Sequence, residues 1–105
     1  MEPYPLLFRP IYKPKLWGGC RIFDHFNRDP IGSEPIGESW ELVDLEEDAS
    51  SVLNGPAEGR TLTELVKQWG QALLGDVDLF DGRFPLLIKY LDARENLSVQ
   101  VHPIE

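Results

Sequence analysis

The sequence predicts a single small domain that is mainly β, with antiparallel strands and one clear helix. Polar and apolar residues alternate at 36–44 and again at 97–103, which is the pattern of half-buried strands. A helix-capping motif and a helical apolar stripe coincide at 61–75. The 9 Gly and 9 Pro favour turns and short strands over long helices. Since 105 residues are enough to bury one core, we expect one domain over residues 1–105.

Composition argues against several classes of partner. The chain has 10 Lys and Arg against 18 Asp and Glu, and its formal charge of -8 repels nucleic acid and anionic membranes. The single Cys20 excludes an internal disulfide, fits a reducing compartment and is expected to be an inert thiol. No apolar run approaches the roughly 20 residues that span a bilayer, and the N-terminus lacks the features of a signal peptide. The expected location is therefore the cytoplasm.

The N-terminal third is predicted to be mostly extended. Residues 3–17 contain four prolines between apolar pairs, which is typical of edge-like segments that donate irregularly to a sheet. Residues 17–19, Trp-Gly-Gly, predict a turn, and residues 20–26 predict either a short helix or an irregular segment. Residues 27–32 are rich in turn formers and predict a loop. His25 has no partner at metal-ligand spacing, so we expect it to be exposed.

The strand at 36–44 places Trp40 and Leu42 on one face and Glu41 on the other. Glu41 has two interpretations, a carboxylate directed into a pocket or towards a metal, and a surface charge facing water. The second is favoured by the residues alone, because charged side chains are seldom buried without a partner.

The segment at 61–75 is the clearest helix. Thr61 and Glu64 have the spacing of a capping box, in which the Thr61 hydroxyl accepts from the Glu64 amide and the carboxylate accepts from the Thr61 amide. Apolar residues follow at helical spacing, and Gly75 is placed to end the helix. We interpret the apolar stripe as core packing.

The nearly continuous apolar run at 84–91 predicts a strand buried on both faces. Lys89 interrupts it, and we expect its ammonium group either to reach solvent or to face a cavity that holds an anion. The turn-forming residues 92–96 favour an antiparallel pairing with 97–103, so 84–103 is predicted to be a hairpin. Whether Lys89 shares a face with the polar residues of the second strand depends on register, which the sequence leaves open.

The stretch at 97–103 places Ser98, Gln100 and His102 on one face and two valines on the other. An imidazole nitrogen and an amide oxygen two residues apart on a strand can bind a divalent metal. A solvated polar face is the alternative, and spacing alone favours it because half-polar strands are common.

Four segments resemble one enzyme family. Residues 82–93 followed by 97–103 resemble the signature region of type I mannose-6-phosphate isomerases, which are zinc enzymes of the cupin fold. Residues 11–19 and 36–41 resemble the N-terminal segments of that family, in the same order. The resemblance implies that the chain is the N-terminal portion of a cupin-like (jelly-roll) β-barrel.

The resemblance also implies that the hairpin at 84–103 carries a metal site, and it implies roles for four residues. Gln100 and His102 match two ligands of the single zinc ion in the complete protein, and the remaining two ligands, a glutamate and a histidine, come from later in the family's chains. Lys89 and Ser98 match positions near the substrate, and the resemblance implies that they meet its phosphate. No residue is assigned as the catalytic acid or base.

The implied function is interconversion of mannose 6-phosphate and fructose 6-phosphate, a step of carbohydrate metabolism that leads to GDP-mannose biosynthesis. The implied partners are a small-molecule sugar phosphate and the missing C-terminal part of the same fold, and the piece alone is expected to be inactive. One alternative is a non-catalytic cupin-like sugar-binding or regulatory module, because Ile104 stands where the family usually has an acidic residue. A second alternative is an unrelated acidic, β-rich interaction domain.

Overall fold

The computed structural model describes residues 1–95 and contains three strands, three short α-helices and a 3₁₀ turn. The strands form one sheet in the order β1-β2-β3, mostly antiparallel. The predicted fold class is confirmed. In chain order the elements are β1 (Ile11–Gly19), α1 (Arg21–His25), β2 (Ile36–Leu42), the 3₁₀ turn (Gly55–Ala57), α2 (Leu62–Trp69), α3 (Gln71–Leu74) and β3 (Ile88–Leu91).

The chain divides into two compact units. The first unit contains residues 1–11 and 40–90. The second contains residues 12–39 and, within the described chain, residues 91–95. Each unit has its own cluster of buried apolar side chains. The single domain over residues 1–105 stays a prediction.

The core of the first unit forms around α2. Tyr4 packs edge-on against Trp69, with ring centroids 6.1 Å apart, which is a favourable arrangement of aromatic quadrupoles. The Tyr4 hydroxyl donates to the carbonyl of Asn54 at 2.7 Å and accepts from the N–H of Ala57 at 2.8 Å. These bonds fasten the N-terminal segment to the core. The buried members of the cluster are Val52, Ala57, Leu65 and Trp69, and Tyr4, Leu6, Phe8 and Leu73 pack against them.

The helix predicted at 61–75 begins where the capping motif places it and is then interrupted. The Thr61 hydroxyl accepts from the N–H of Glu64 at 3.2 Å, and α2 follows directly. Gly70 has φ 50° and ψ −124°, a conformation that residues other than glycine rarely adopt. It separates α2 from α3. The structure therefore has two helices where the sequence predicted one, and Gly75 ends the second.

The strand predicted at 84–91 is shorter and more exposed than expected. Only Ile88–Leu91 forms β3, and the large apolar residues from 86 to 91 are between 42% and 57% exposed. The prediction of burial on both faces is therefore wrong for the described chain. An apolar run indicates that burial is favourable, but it does not supply the covering layer, and within residues 1–95 the sheet pairs β3 with β2 alone.

The second unit has a smaller core and an arginine packed beside it. Ile22, Phe23 and Ile36 are buried, with Tyr12 and Phe26 packed against them. The guanidinium of Arg28 lies 4.7 Å from the ring centroid of Phe26 and donates to the Ser39 hydroxyl at 3.1 Å.

The structure of this unit tests the predictions for residues 17–26. The turn predicted at residues 17–19 is wrong, because β1 continues through Gly19 and the chain bends at Cys20. The short-helix alternative for 20–26 is correct, since α1 forms there and His25 is exposed as expected. Within residues 1–95, no helix has the length and apolar character needed to cross a bilayer.

Candidate functional site

One of the four predicted site residues lies within the described chain, and the other three lie outside it. Lys89 lies half-buried in β3 and takes part in at least one interaction. Ser98, Gln100 and His102 lie outside the described residues. Their arrangement around a metal and a phosphate stays a prediction.

The structure does describe residues 92–95, which precede the predicted metal-binding stretch and which we call the junction. The N–H of Asp92 donates to the carbonyl of Gly37 at 2.8 Å. The N–H groups of the last two junction residues both donate to the carbonyl of Trp17, at 2.7 and 3.1 Å. A carbonyl oxygen has two lone pairs and can accept both bonds. Backbone bonds thus fix the junction to the two N-terminal segments that carry the family resemblance.

Asp92 adds a buried carboxylate to the junction. Its Oδ2 accepts from the backbone N–H of Arg21 at 2.8 Å, and its Oδ1 lies 3.2 Å from the Nε of Arg21. The Asp92 side chain is 4% exposed, whereas the side chain of Arg21 is 72% exposed. Because a buried carboxylate is costly without partners, these two donors explain why an aspartate is tolerated here.

Two adjacent glycines permit this close packing. A Cβ on Gly18 would collide with the backbone of Ile36 and Gly37, and a Cβ on Gly19 would meet the carboxylate of Asp92. The two glycines of the Trp-Gly-Gly segment therefore allow neighbouring atoms to pack against the backbone, which a residue with a Cβ would prevent. They do not form the turn that their composition predicted. Three segments of the resemblance meet in this way directly before residue 97.

The structure buries a different glutamate from the one that the sequence singled out. Glu38 is buried in β2, while Glu41 is half-buried and has an interaction partner. The first four residues of β2 are all buried, so strand alternation in the sequence does not single out Glu38. Asp92 and Asp44, also buried, were not predicted.

An open cleft of about 470 Å³ lies in the second unit beside Gly19. Its lining includes Arg21, Arg94, Glu34 and the exposed free Cys20. The cleft is thus lined by two positive side chains and one negative side chain. The inert character of the Cys20 thiol stays a prediction.

A metal site cannot be assembled from the described residues alone. Within residues 1–95, no group of three or more His, Cys, Asp or Glu side chains is placed to hold an ion. The amide oxygen of Gln100 and the imidazole nitrogen of His102 are donors that suit zinc. Zinc sites in proteins have three or four protein ligands, so this pair fits zinc in chemistry but supplies only part of a ligand set.

Comparison with known families gives the chain its relatives. The family model for "Phosphomannose isomerase type I, catalytic domain" matches residues 6–105. The chain belongs to this family. The resemblance inferred from its motifs is therefore confirmed.

Relatives that the chain matches include two Bacillus subtilis (strain 168) proteins that are named as a mannose-6-phosphate isomerase and a putative one. The mannose-6-phosphate isomerase ManA is 41% identical over 103 residues, which cover 98% of this chain and 31% of ManA. The putative mannose-6-phosphate isomerase YvyI is 40% identical over 103 residues, with the same coverage of both chains. The chain thus spans about a third of the length of the relatives that it matches.

A solved structure of a mannose 6-phosphate isomerase is similar to this chain in fold. The crystal structure of the mannose 6-phosphate isomerase from Bacillus subtilis matches with a TM-score of 0.73 and 39% identity. The match covers 85% of this chain and 27% of the crystallised chain. At this identity, the likeness extends to sequence as well as fold.

Proposed function

We propose that the chain is the N-terminal portion of a zinc-dependent isomerase that interconverts mannose 6-phosphate and fructose 6-phosphate. The observation that carries the proposal is the family match over residues 6–105, which includes the predicted metal-binding stretch. The convergence of three motif segments at the junction supports it, because those bonds fix the chain just before that stretch.

In this proposal Gln100 and His102 provide two of the zinc ligands, and the rest of a cupin barrel provides the others. Zinc held there would polarise the hydroxyl and carbonyl oxygens of the sugar. The isomerisation itself removes a proton from C2 and returns one at C1 through an enediol, and we assign neither proton transfer to a residue of this chain.

Lys89 and Ser98 bind the phosphate of the substrate in the same proposal. The chain has a formal charge of -8, so an anionic sugar phosphate needs a local positive group. Lys89, half-buried in β3, provides that group within an apolar segment. We also propose a cytoplasmic location and a role in the supply of GDP-mannose, as the resemblance implies.

The remaining part of the isomerase fold is the proposed partner of β3. The exposed apolar residues of β3 belong to a run whose composition predicts burial, and the curated relatives are about three times as long as this chain. We propose that the additional part covers β3 and completes the metal site.

The first test uses the chain of 105 residues alone. Two ligands on one strand hold zinc weakly, so we expect no turnover and no zinc after dialysis against a chelator. Isomerase assays and metal analysis by mass spectrometry measure both. One zinc per chain that survives the chelator would contradict the incomplete metal site.

The second test uses a fusion in which residues 1–105 replace the aligned N-terminal segment of B. subtilis ManA. We expect the fusion to isomerise mannose 6-phosphate. His102→Ala should remove turnover and lower zinc content, whereas Val101→Ala, on the opposite face of the predicted strand, should cost about 1–2 kcal/mol of stability and retain zinc. A fusion that folds, binds sugar phosphate and has no turnover would favour the non-catalytic module.

A third test concerns the phosphate. Lys89→Met in the fusion should raise KM for mannose 6-phosphate with little change in zinc content. Lys67→Met is the matched control, because Lys67 is exposed on α2 and has the same charge. Equal KM values for the two variants would remove Lys89 from the phosphate site.

A further inference from the structure

Asp44 is a buried carboxylate to which the proposed function gives no role. It lies two residues after the end of β2, and its side chain is fully buried. Its Oδ1 accepts from the Thr63 hydroxyl at 2.5 Å and from Nη1 of Arg83 at 3.3 Å, and its Oδ2 accepts from the backbone N–H of Phe84 at 2.9 Å. The carboxylate therefore links the first turn of α2 to the segment that leads into β3.

The segment held by Asp44 has a backbone restraint on each side of the contact. Before it, the N–H and carbonyl groups of Phe80 and Arg83 bond to each other in both directions, at 2.9 and 3.0 Å, and close a tight turn. After it, Pro85 has a fixed φ and restricts the backbone of Phe84. Phe84 lies five residues before Lys89 in the same unit, so the contacts made at Phe84 restrict where the segment that carries Lys89 begins.

Asp44 itself cannot bind the substrate, because its side chain has no exposed surface and both of its oxygens have donors within the protein. Its effect on the phosphate would have to act through the segment that it holds. We infer that Asp44 is a positioning residue, which sets where Lys89 meets the phosphate of the sugar. This inference rests on the proposed function and extends it by one residue.

Asp44→Asn is the main variant, tested in the ManA fusion. Asparagine keeps the shape and one acceptor oxygen but lacks the charge that holds Arg83 and the Phe84 amide. We expect KM for mannose 6-phosphate to rise roughly tenfold, the scale for weakening one charge-assisted contact, with kcat within about twofold. The inhibition constant of inorganic phosphate should rise in parallel.

A double-variant cycle separates positioning from general stabilisation. If Asp44 acts through Lys89, Asp44→Asn combined with Lys89→Met should have the KM of Lys89→Met alone. Tyr4→Phe is the control, because it removes buried hydrogen bonds of the same unit and should lower the urea midpoint without changing KM. An unchanged KM for Asp44→Asn, or the same multiplication of KM with and without Lys89, would overturn the inference.

Two further measurements keep the inference testable if a variant or the fusion fails. Thr63→Val removes one donor to Asp44 and nearly preserves shape, so it should raise KM in the same direction if Asp44→Asn does not fold. In the 105-residue chain, Asp44→Asn should speed amide hydrogen exchange from Phe84 to Leu91, whereas Tyr4→Phe should not. Absence of turnover in the unmodified fusion would defeat the proposed function, but unchanged exchange in this segment would defeat the role of Asp44 separately.

Discussion

Substitution of Asp92 tests which of its two contacts stabilises the junction. Asp92→Ala removes the acceptor of the Arg21 backbone N–H and also the ion pair with the Arg21 side chain. The guanidinium is 72% exposed and regains water when the carboxylate is lost, so the ion pair is worth only about 0–1 kcal/mol. The partly buried N–H has no such compensation, and leaving it without an acceptor costs about 1–3 kcal/mol.

These magnitudes predict an order among three variants. Asp92→Ala should destabilise the chain by about 1–4 kcal/mol, because both losses combine. Arg21→Met keeps the backbone donor and should cost less than about 1 kcal/mol. Asp92→Asn keeps an acceptor oxygen but loses the charge, so its cost should lie between the other two.

Urea denaturation of the 105-residue chain measures this order. For small proteins the slope is about 1–3 kcal/mol per molar urea, so at the middle of both ranges the midpoint of Asp92→Ala should fall by roughly 1 M. Asp29→Ala is the control, since Asp29 is exposed and its loss should stay within about 0.5 kcal/mol. If Arg21→Met costs as much as Asp92→Ala, the ion pair dominates and the reasoning about exposure is wrong.

Three other substitutions address the helix region and the N-terminal segment. Gly70→Ala should lower the free energy of unfolding by about 1–2 kcal/mol, because alanine is strained at φ 50°, and a shift in the urea midpoint measures it. Tyr4→Phe should cost about 1–3 kcal/mol, because it removes the hydroxyl that accepts from the buried N–H of Ala57, and thermal unfolding measures the loss. The hydrogen bond from Arg60 lowers the pKa of Glu64 below its ordinary 4.5, so the stabilisation is present above that pH and is lost as the pH falls through the lowered pKa. An NMR titration should find the pKa raised towards 4.5 in Arg60→Gln, and equal values in both proteins would contradict the role of Arg60.

Sequence reasoning succeeded where the cause of structure is local. Thr61 and Glu64 are three residues apart, and the capping bond between them starts α2 at the predicted position. The strand at 36–44 was predicted from alternation and appears as Ile36–Leu42. Both patterns involve neighbours in the chain, so they can be recognised before any tertiary contact is known.

The residues that sequence reasoning missed depend on distant partners. Asp92 bonds to Arg21 across 71 residues, and Asp44 bonds to Arg83 across 39. An aspartate that follows a strand is usually a surface or turn residue, and only the fold reveals that these two are buried. The turn predicted at the Trp-Gly-Gly segment was wrong for a related reason. Glycine is used both for turns and for close packing, and the packing at Gly18 involves Ile36, which is distant in sequence.

The exposure of β3 contradicts the predicted burial of residues 84–91, and it also supports the proposal that a further part of the fold covers this strand. The residues at 84–91 have the composition of a strand covered on both sides, yet the large apolar side chains from 86 onward are exposed in the described chain. The same segment carries Lys89 and precedes the predicted zinc ligands, which supply only part of a metal site. The relatives that the chain matches are about three times as long, and in the proposed function the additional part buries β3 and supplies the remaining ligands. In this interpretation, the same further part of the isomerase fold covers the apolar residues of β3 and completes the ligand set.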